Sequence, residues 1–162
     1  MSTQRHFADF DAAAVAGARV LIVQAGFNPE LISALRAGAL AVLDAAGVGH
    51  EVVTVPGALE IPAAIAFSLD AETRRGQRFD GYVVLGCVVR GATGHYDVVA
   101  GESNRALMDL SIDQRLALGN GILTVEDDEQ AWERADPARL DKGGAAAAAA
   151  LAMIALRRKF GL

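Results

Sequence analysis

Eight consecutive residues, Tyr82–Val89 (YVVLGCVV), carry no charge and are rich in valine. A run of that length and composition is the pattern of a strand buried on both faces, as in the middle of a parallel sheet. Such a strand needs helices above and below it, and the flanking sequence supplies them. Three further strands are predicted at Arg19–Gln24, Glu51–Val55 and Leu118–Val125, the last containing Gly119-Asn120-Gly121. Asn28 and Pro29 are suited to start a helix, Leu31, Leu35, Ala39, Val42 and Leu43 recur at helical spacing, and Gly47 closes it. A second helix is predicted over about Glu60–Ala71, followed by a polar loop at Arg74–Arg78, and a third over about Tyr96–Gln114. The acids Glu126, Asp127, Asp128 and Glu129 suit the start of a fourth, which Pro137 interrupts. Gly143-Gly144 opens an alanine-rich last helix that ends in Arg157, Arg158 and Lys159. The order β-α-β-α-β-α-β-α-α predicts a three-layer α/β/α sandwich with a four-stranded parallel sheet. Residues 1–18 read as a loose N-terminal arm and residues 19–162 as one domain, which suits a chain of 162 residues.

Composition narrows the function classes. The net charge of −5 excludes a general nucleic-acid binder, which needs cations to neutralise phosphates. The longest apolar run, Ala145 to Leu156, is too short to span a bilayer. The N-terminus mixes acids with its apolar residues and lacks a signal-peptide core. With one cysteine, Cys87, no disulfide can form within the chain, and the thiol reads as a small buried hydrophobe. These features predict a cytoplasmic protein. His6, His50 and His95 are far apart and no HxxxH or CxxC occurs, so no metal site is expected. No GxSxG elbow points to a serine hydrolase. Hydrophobic residues make up 52% of the chain, 33 of them alanine. With a mean hydropathy of +0.28, such a chain leaves apolar surface that a homo-oligomer would hide.

In parallel α/β sheets, ligands bind at the C-terminal ends of the strands. The distinctive motifs fall there: Gly26-Phe27-Asn28, Pro56-Gly57-Ala58-Leu59-Glu60 and Arg90-Gly91-Ala92-Thr93-Gly94-His95. The last is a glycine-bearing turn into a helix, where free N–H groups and the Thr93 hydroxyl make an anion site. His95 can exchange protons near neutral pH. An ordinary turn capped by Thr93 accounts for the spacing equally well. Phe27 can stack on a planar ring; core packing is the commoner use of such an aromatic, but the turn-forming neighbours Gly26 and Asn28 make a core position less favoured than usual. By itself Glu60 reads as an acid complementing a helix start. Arg134 and Lys142 read as solvated charges, or as groups able to reach an anion.

The motifs taken together resemble those of the lumazine synthases. Gly26-Phe27-Asn28, VPGALEIP at Val55–Pro62, GCVVRGATGHYD at Gly86–Asp97, Gly121-Ile122-Leu123-Thr124 and Asp141-Lys142-Gly143 occur in that family's order, from about Arg19 to the C-terminus. The resemblance implies a flavodoxin-like fold and the condensation of 5-amino-6-(D-ribitylamino)uracil with 3,4-dihydroxy-2-butanone 4-phosphate. The products are 6,7-dimethyl-8-ribityllumazine, phosphate and water, formed without a cofactor or metal. It implies that Phe27 stacks on the pyrimidine, and that Asn28, Gly57, Ala58, Leu59 and Glu60 hold the ribityl chain and ring edge. Val88 and Val89 would line the pyrimidine slot, Ala92 and Thr93 would bind phosphate with Arg134, and His95 would transfer protons. Lys142 would assist. The family's active sites lie between subunits of a pentamer, so Asn120 and Lys142 would come from the adjacent chain. Three positions depart from the family pattern: Asn120 replaces a frequent aromatic, Ala145 a common acid, and Gly26 a frequent arginine. Asp97 or Glu102 could replace the acid as partner of His95. The segment Asp136–Asp141 lacks the glycine of shell-forming members, which predicts a pentamer or decamer. A flavin or lumazine carrier, or a scaffold of the same fold, is the alternative function.

Overall fold

The computed structural model describes residues 5–76 and 78–162. Its strands are β1 (Arg19–Ala25), β2 (Gly49–Val55), β3 (Gly81–Val89) and β4 (Leu118–Val125). All pair in parallel, in the order β2-β1-β3-β4. The helices are α1 (Pro29–Ala45), α2 (Ile61–Arg75), α3 (His95–Asp113), α4 (Asp128–Ala135) and α5 (Lys142–Lys159). One core layer joins α1, α4 and α5 to one sheet face through Ile22, Leu35, Val83, Ala131, Ala147 and Leu151. The other joins α2 and α3 to the opposite face through Val23, Ile61, Ile65, Val84 and Leu107. This is the three-layer α/β/α sandwich expected, with the Tyr82–Val89 run as an inner strand.

The helix boundaries follow local chemistry. Asn28 caps α1 in the left-handed conformation, which asparagine tolerates, and its side chain accepts from the Leu31 N–H. α2 runs four residues beyond the expected Ala71, into the start of the segment read as loop. Arg74 and Arg75 suit the negative end of that helix, and Gly76 closes it at positive φ. α5 packs very closely on its neighbours. A Cβ on Gly143 would lie 1.9 Å from the Leu35 carbonyl oxygen, and one on Gly119 would lie 1.8 Å from that of Ala146. Only hydrogen fits in either place.

Residues 12–18 depart from the loose arm expected. Ala12–Val15 forms a 3-10 turn capped by Asp11, and Val15 and Ala18 are buried in the core under α5. Arg158 donates to the Ala14 and Ala16 carbonyls. Arg5 pairs with the buried Asp141 at 3.0 Å. Residues 1–4 of the expected arm lie outside the described residues. The alanine run is used for close packing. Ala146, Ala147, Ala148 and Ala150 are buried within the chain's own fold. The large exposed apolar side chains include Phe67 on α2, Val98, Met108 and Ile112 on α3, and Met153 and Leu156 further along α5.

Candidate active site

The first cavity, about 410 Å³, opens at the C-terminal ends of β1 and β3. Its lining brings together Phe27, Gly57, Ala58, Leu59, Glu60, Val88, Val89 and His95, eight of the residues singled out by sequence. Phe27 is 65% exposed, so it is not a core aromatic. Its ring stands free where β1 turns into α1. The segment Ala58–Glu60 forms a 3-10 turn leading into α2. There the Glu60 carboxylate folds back, 3.2 Å from where a Cβ on Gly57 would be. β3 overhangs β1: pairing between them ends at Gln24 with Leu85. The β1-facing backbone edge of Cys87–Val89 therefore has no strand partner, and its amide and carbonyl groups can take a ligand.

His95 is the first residue of α3 and is exposed. The Thr93 hydroxyl accepts from the His95 backbone N–H at a long 3.4 Å. Arg90, on the same turn, lies 4.0 Å over the Tyr96 ring and forms ion pairs with Glu126 at 2.9 Å and Asp97 at 3.5 Å. Asp97 is thus engaged by Arg90, and Glu102 by Arg105 at 2.9 Å. Cys87 also lines the cavity at 6% exposure; burial, with a smaller contribution from Asp128, pushes its thiol pKa up to about 11. Its contact with the cavity was not signalled by sequence. It follows from the place of Cys87 on β3, one residue before Val88.

A second cavity, about 270 Å³, lies along β4 against α4 and α5. It is lined by Asn120, Arg134, Lys142 and Ala145, with Ile122, Ala149 and others. Arg134 donates to the Gln130 carbonyl at 3.0 Å and to the Glu133 carboxylate at 3.1 Å. Asp141 caps α5 directly before Lys142, accepting from the Gly144 N–H at 3.0 Å. The two cavities share no lining residue. Arg134 therefore groups with Asn120 and Lys142, and not with Thr93. Ala92, Thr93 and Asn28 line neither cavity; Ala92 and Thr93 are exposed in the turn before α3.

A planar-ring surface, a carboxylate, a histidine and an open strand edge share one cavity, and two cations share another. This arrangement suits joining a heterocycle to a phosphorylated partner. The family model of 6,7-dimethyl-8-ribityllumazine synthase matches residues 17–158. The chain belongs to that family. It is 57% identical over 159 residues to 6,7-dimethyl-8-ribityllumazine synthase of Nitrobacter winogradskyi, covering 98% of both chains. It is 59% identical over 145 residues to that of Nitrobacter hamburgensis, covering 90% of this chain and 89% of the relative. It is 58% identical over 142 residues to 6,7-dimethyl-8-ribityllumazine synthase 1 of Rhizobium meliloti, covering 88% and 93%. The protein is a transferase of riboflavin biosynthesis, catalysing the condensation that the motifs implied. Nothing in these likenesses favours a carrier or a scaffold.

Proposed function

We propose that the enzyme completes its active site between two copies of itself, the first cavity of one chain meeting the second cavity of the next. The observation that carries this reading is the division of the candidate residues into two clusters with no lining residue in common. In the composite site, Phe27 stacks on the pyrimidine of 5-amino-6-(D-ribitylamino)uracil. Backbone groups of the β3 overhang read its ring edge. Asn28, Gly57, Ala58, Leu59 and Glu60 hold the ribityl hydroxyls, with Glu60 as the charged acceptor. Ala92 and Thr93, at the positive end of α3, hold the phosphate together with Arg134 of the neighbouring copy. Asn120 and Lys142 come from that same neighbour.

The reaction proceeds through imine formation, loss of phosphate and ring closure. The substrate amine attacks the butanone carbonyl, and water leaves as the imine forms. Phosphate leaves next, and the ribityl-bearing nitrogen then closes the ring with loss of a second water. Each step moves a proton, and His95 is the group at the cavity suited to carry it at neutral pH. With Asp97 and Glu102 engaged by arginines, His95 exchanges its proton with substrate and water. Holding the two substrates together supplies much of the acceleration, as is general for condensations within a shared site.

The exposed apolar residues of α2 and α3 support a homo-oligomer, which we propose to be a pentamer or decamer working in the cytoplasm. The test is complementation between two inactive variants. His95→Ala damages the first cavity, and Arg134→Ala the second. Each alone is expected to lose roughly 100-fold or more in kcat/KM. Co-assembled at equal ratio, about one quarter of the interfaces pair two undamaged halves, so about a quarter of the activity returns. A site built within one chain would regain none.

A further inference from the structure

Asn120 lines the second cavity, and the structure shows how the asparagine is held. Its Oδ1 accepts from the Ile122 backbone N–H at 2.9 Å. Its Nδ2 donates to Asn104 Oδ1 at 2.6 Å. Asn104, on α3, donates through its own Nδ2 to the Ala100 carbonyl at 2.7 Å. The ends of this chain of bonds are backbone groups of opposite kind. The Ala100 carbonyl can only accept and the Ile122 N–H can only donate, so both amides between them have one permitted orientation. Asn120 is left with one N–H and one oxygen lone pair for a ligand, both held in a fixed direction.

We propose that Asn104 is a positioning residue for substrate recognition. It locks the Asn120 amide so that Asn120 meets the polar edge of the ribitylaminopyrimidine by a directed hydrogen bond. This rests on the reading that Asn120 faces a neighbouring copy's first cavity. The pyrimidine presents carbonyl acceptors and N–H donors, which match the two groups that Asn120 retains. A bond from a pre-oriented amide avoids the entropy of fixing a free rotor, and that is what Asn104 contributes.

The test is steady-state kinetics on the assembled enzyme, with KM measured separately for the two substrates. Asn104→Leu removes the acceptor and frees Asn120. It is expected to raise KM for the pyrimidine roughly three- to tenfold, the range of one hydrogen bond, with kcat and KM for the phosphorylated butanone little changed. Asn104→Asp keeps an acceptor and is expected to retain the pyrimidine KM within about twofold. In an Asn120→Ala background, Asn104→Leu should add nothing. If Asn120→Ala raises the pyrimidine KM and Asn104→Leu does not, the positioning role is overturned while the site reading stands. If Asn120→Ala itself leaves that KM unchanged, both are overturned. A full additive effect of Asn104→Leu on Asn120→Ala, or equal damage from Asn104→Leu and Asn104→Asp, marks Asn104 as merely structural and also overturns the proposal.

Discussion

Cys87 shows how much a single residue's place can be read before its neighbours are known. The apolar run around it marks it as buried, and it is. The run does not reveal that the same residue borders the cavity of Phe27 and His95, because two strands and the turn before α2 converge there only in the folded chain. Its raised pKa makes a pH prediction. The unfolded thiol ionises near pH 8.5 and the folded one near 11. Between those values the folded state binds more protons than the unfolded one, so this contribution to stability falls as pH rises. Below about pH 8.5 the shift has no effect. Tyr82, whose phenol burial also holds above its ordinary range, adds the same sign at higher pH. Urea unfolding at pH 8 and pH 10 should show a loss of stability that is smaller in Cys87→Ala. An equal loss in both proteins would contradict the assignment. The thiol should also react slowly with alkylating reagents at pH 8 in the native enzyme.

At the scale of elements, β1 and β3 were legible because burial on two faces leaves an unbroken apolar run, and the starts of α1 and α4 because Asn28 with Pro29, and a run of acids, mark them. The end of α2 was less so: Arg74 and Arg75 look like loop residues until their place at a helix C-terminus explains them. What spacing did not show is the depth at which α5 settles. Contact between backbone and backbone at Gly119 and Gly143 brings α5 onto β4 and α1, and thereby sets Lys142 beside Asn120 and Arg134. Gly119→Ala should therefore cost about 2–3 kcal/mol, since the new methyl must push α5 outwards. Gly101, within α3, has open space around its Cβ position, and the same substitution there should stabilise by about 0.5–1 kcal/mol. Denaturant unfolding of the two variants compares them directly, and a similar effect at both sites would count against the close packing.

On the whole molecule, the positive mean hydropathy has two separate causes. A third of the alanines, 11 of 33, are buried in the chain's own core. The remaining surface apolarity is concentrated in larger side chains: Phe67 is 71% exposed and Ile112 68%. β2, the strand at one edge, is exposed over almost its whole length, with Val52 and Val53 facing outwards. Such surface predicts that assembly and activity fail together. Light scattering on the native enzyme should give five or ten chains of 16.9 kDa, about 85 or 170 kDa. A mass near one megadalton would refute the inference from Asp136–Asp141. Phe67→Glu with Ile112→Glu should yield smaller, folded and inactive species, because each chain holds only half of the proposed site. Full activity in a monomer would end that reading.

Sequence alone specified the layer order and the parallel sheet, and it picked out the candidates for the chemistry. Those follow from periodicity, turn chemistry and motif, all of them local along the chain. Tertiary structure decided which of these residues share a cavity. Phe27, Glu60 and His95 meet because β1, the turn before α2 and the start of α3 converge at one end of the sheet. Arg134 was separated from Thr93 because α4 packs on the opposite face, beside the edge strand β4. Partition between two faces of a sheet is set by crossover direction and packing depth, and no spacing of residues along a chain encodes either one directly.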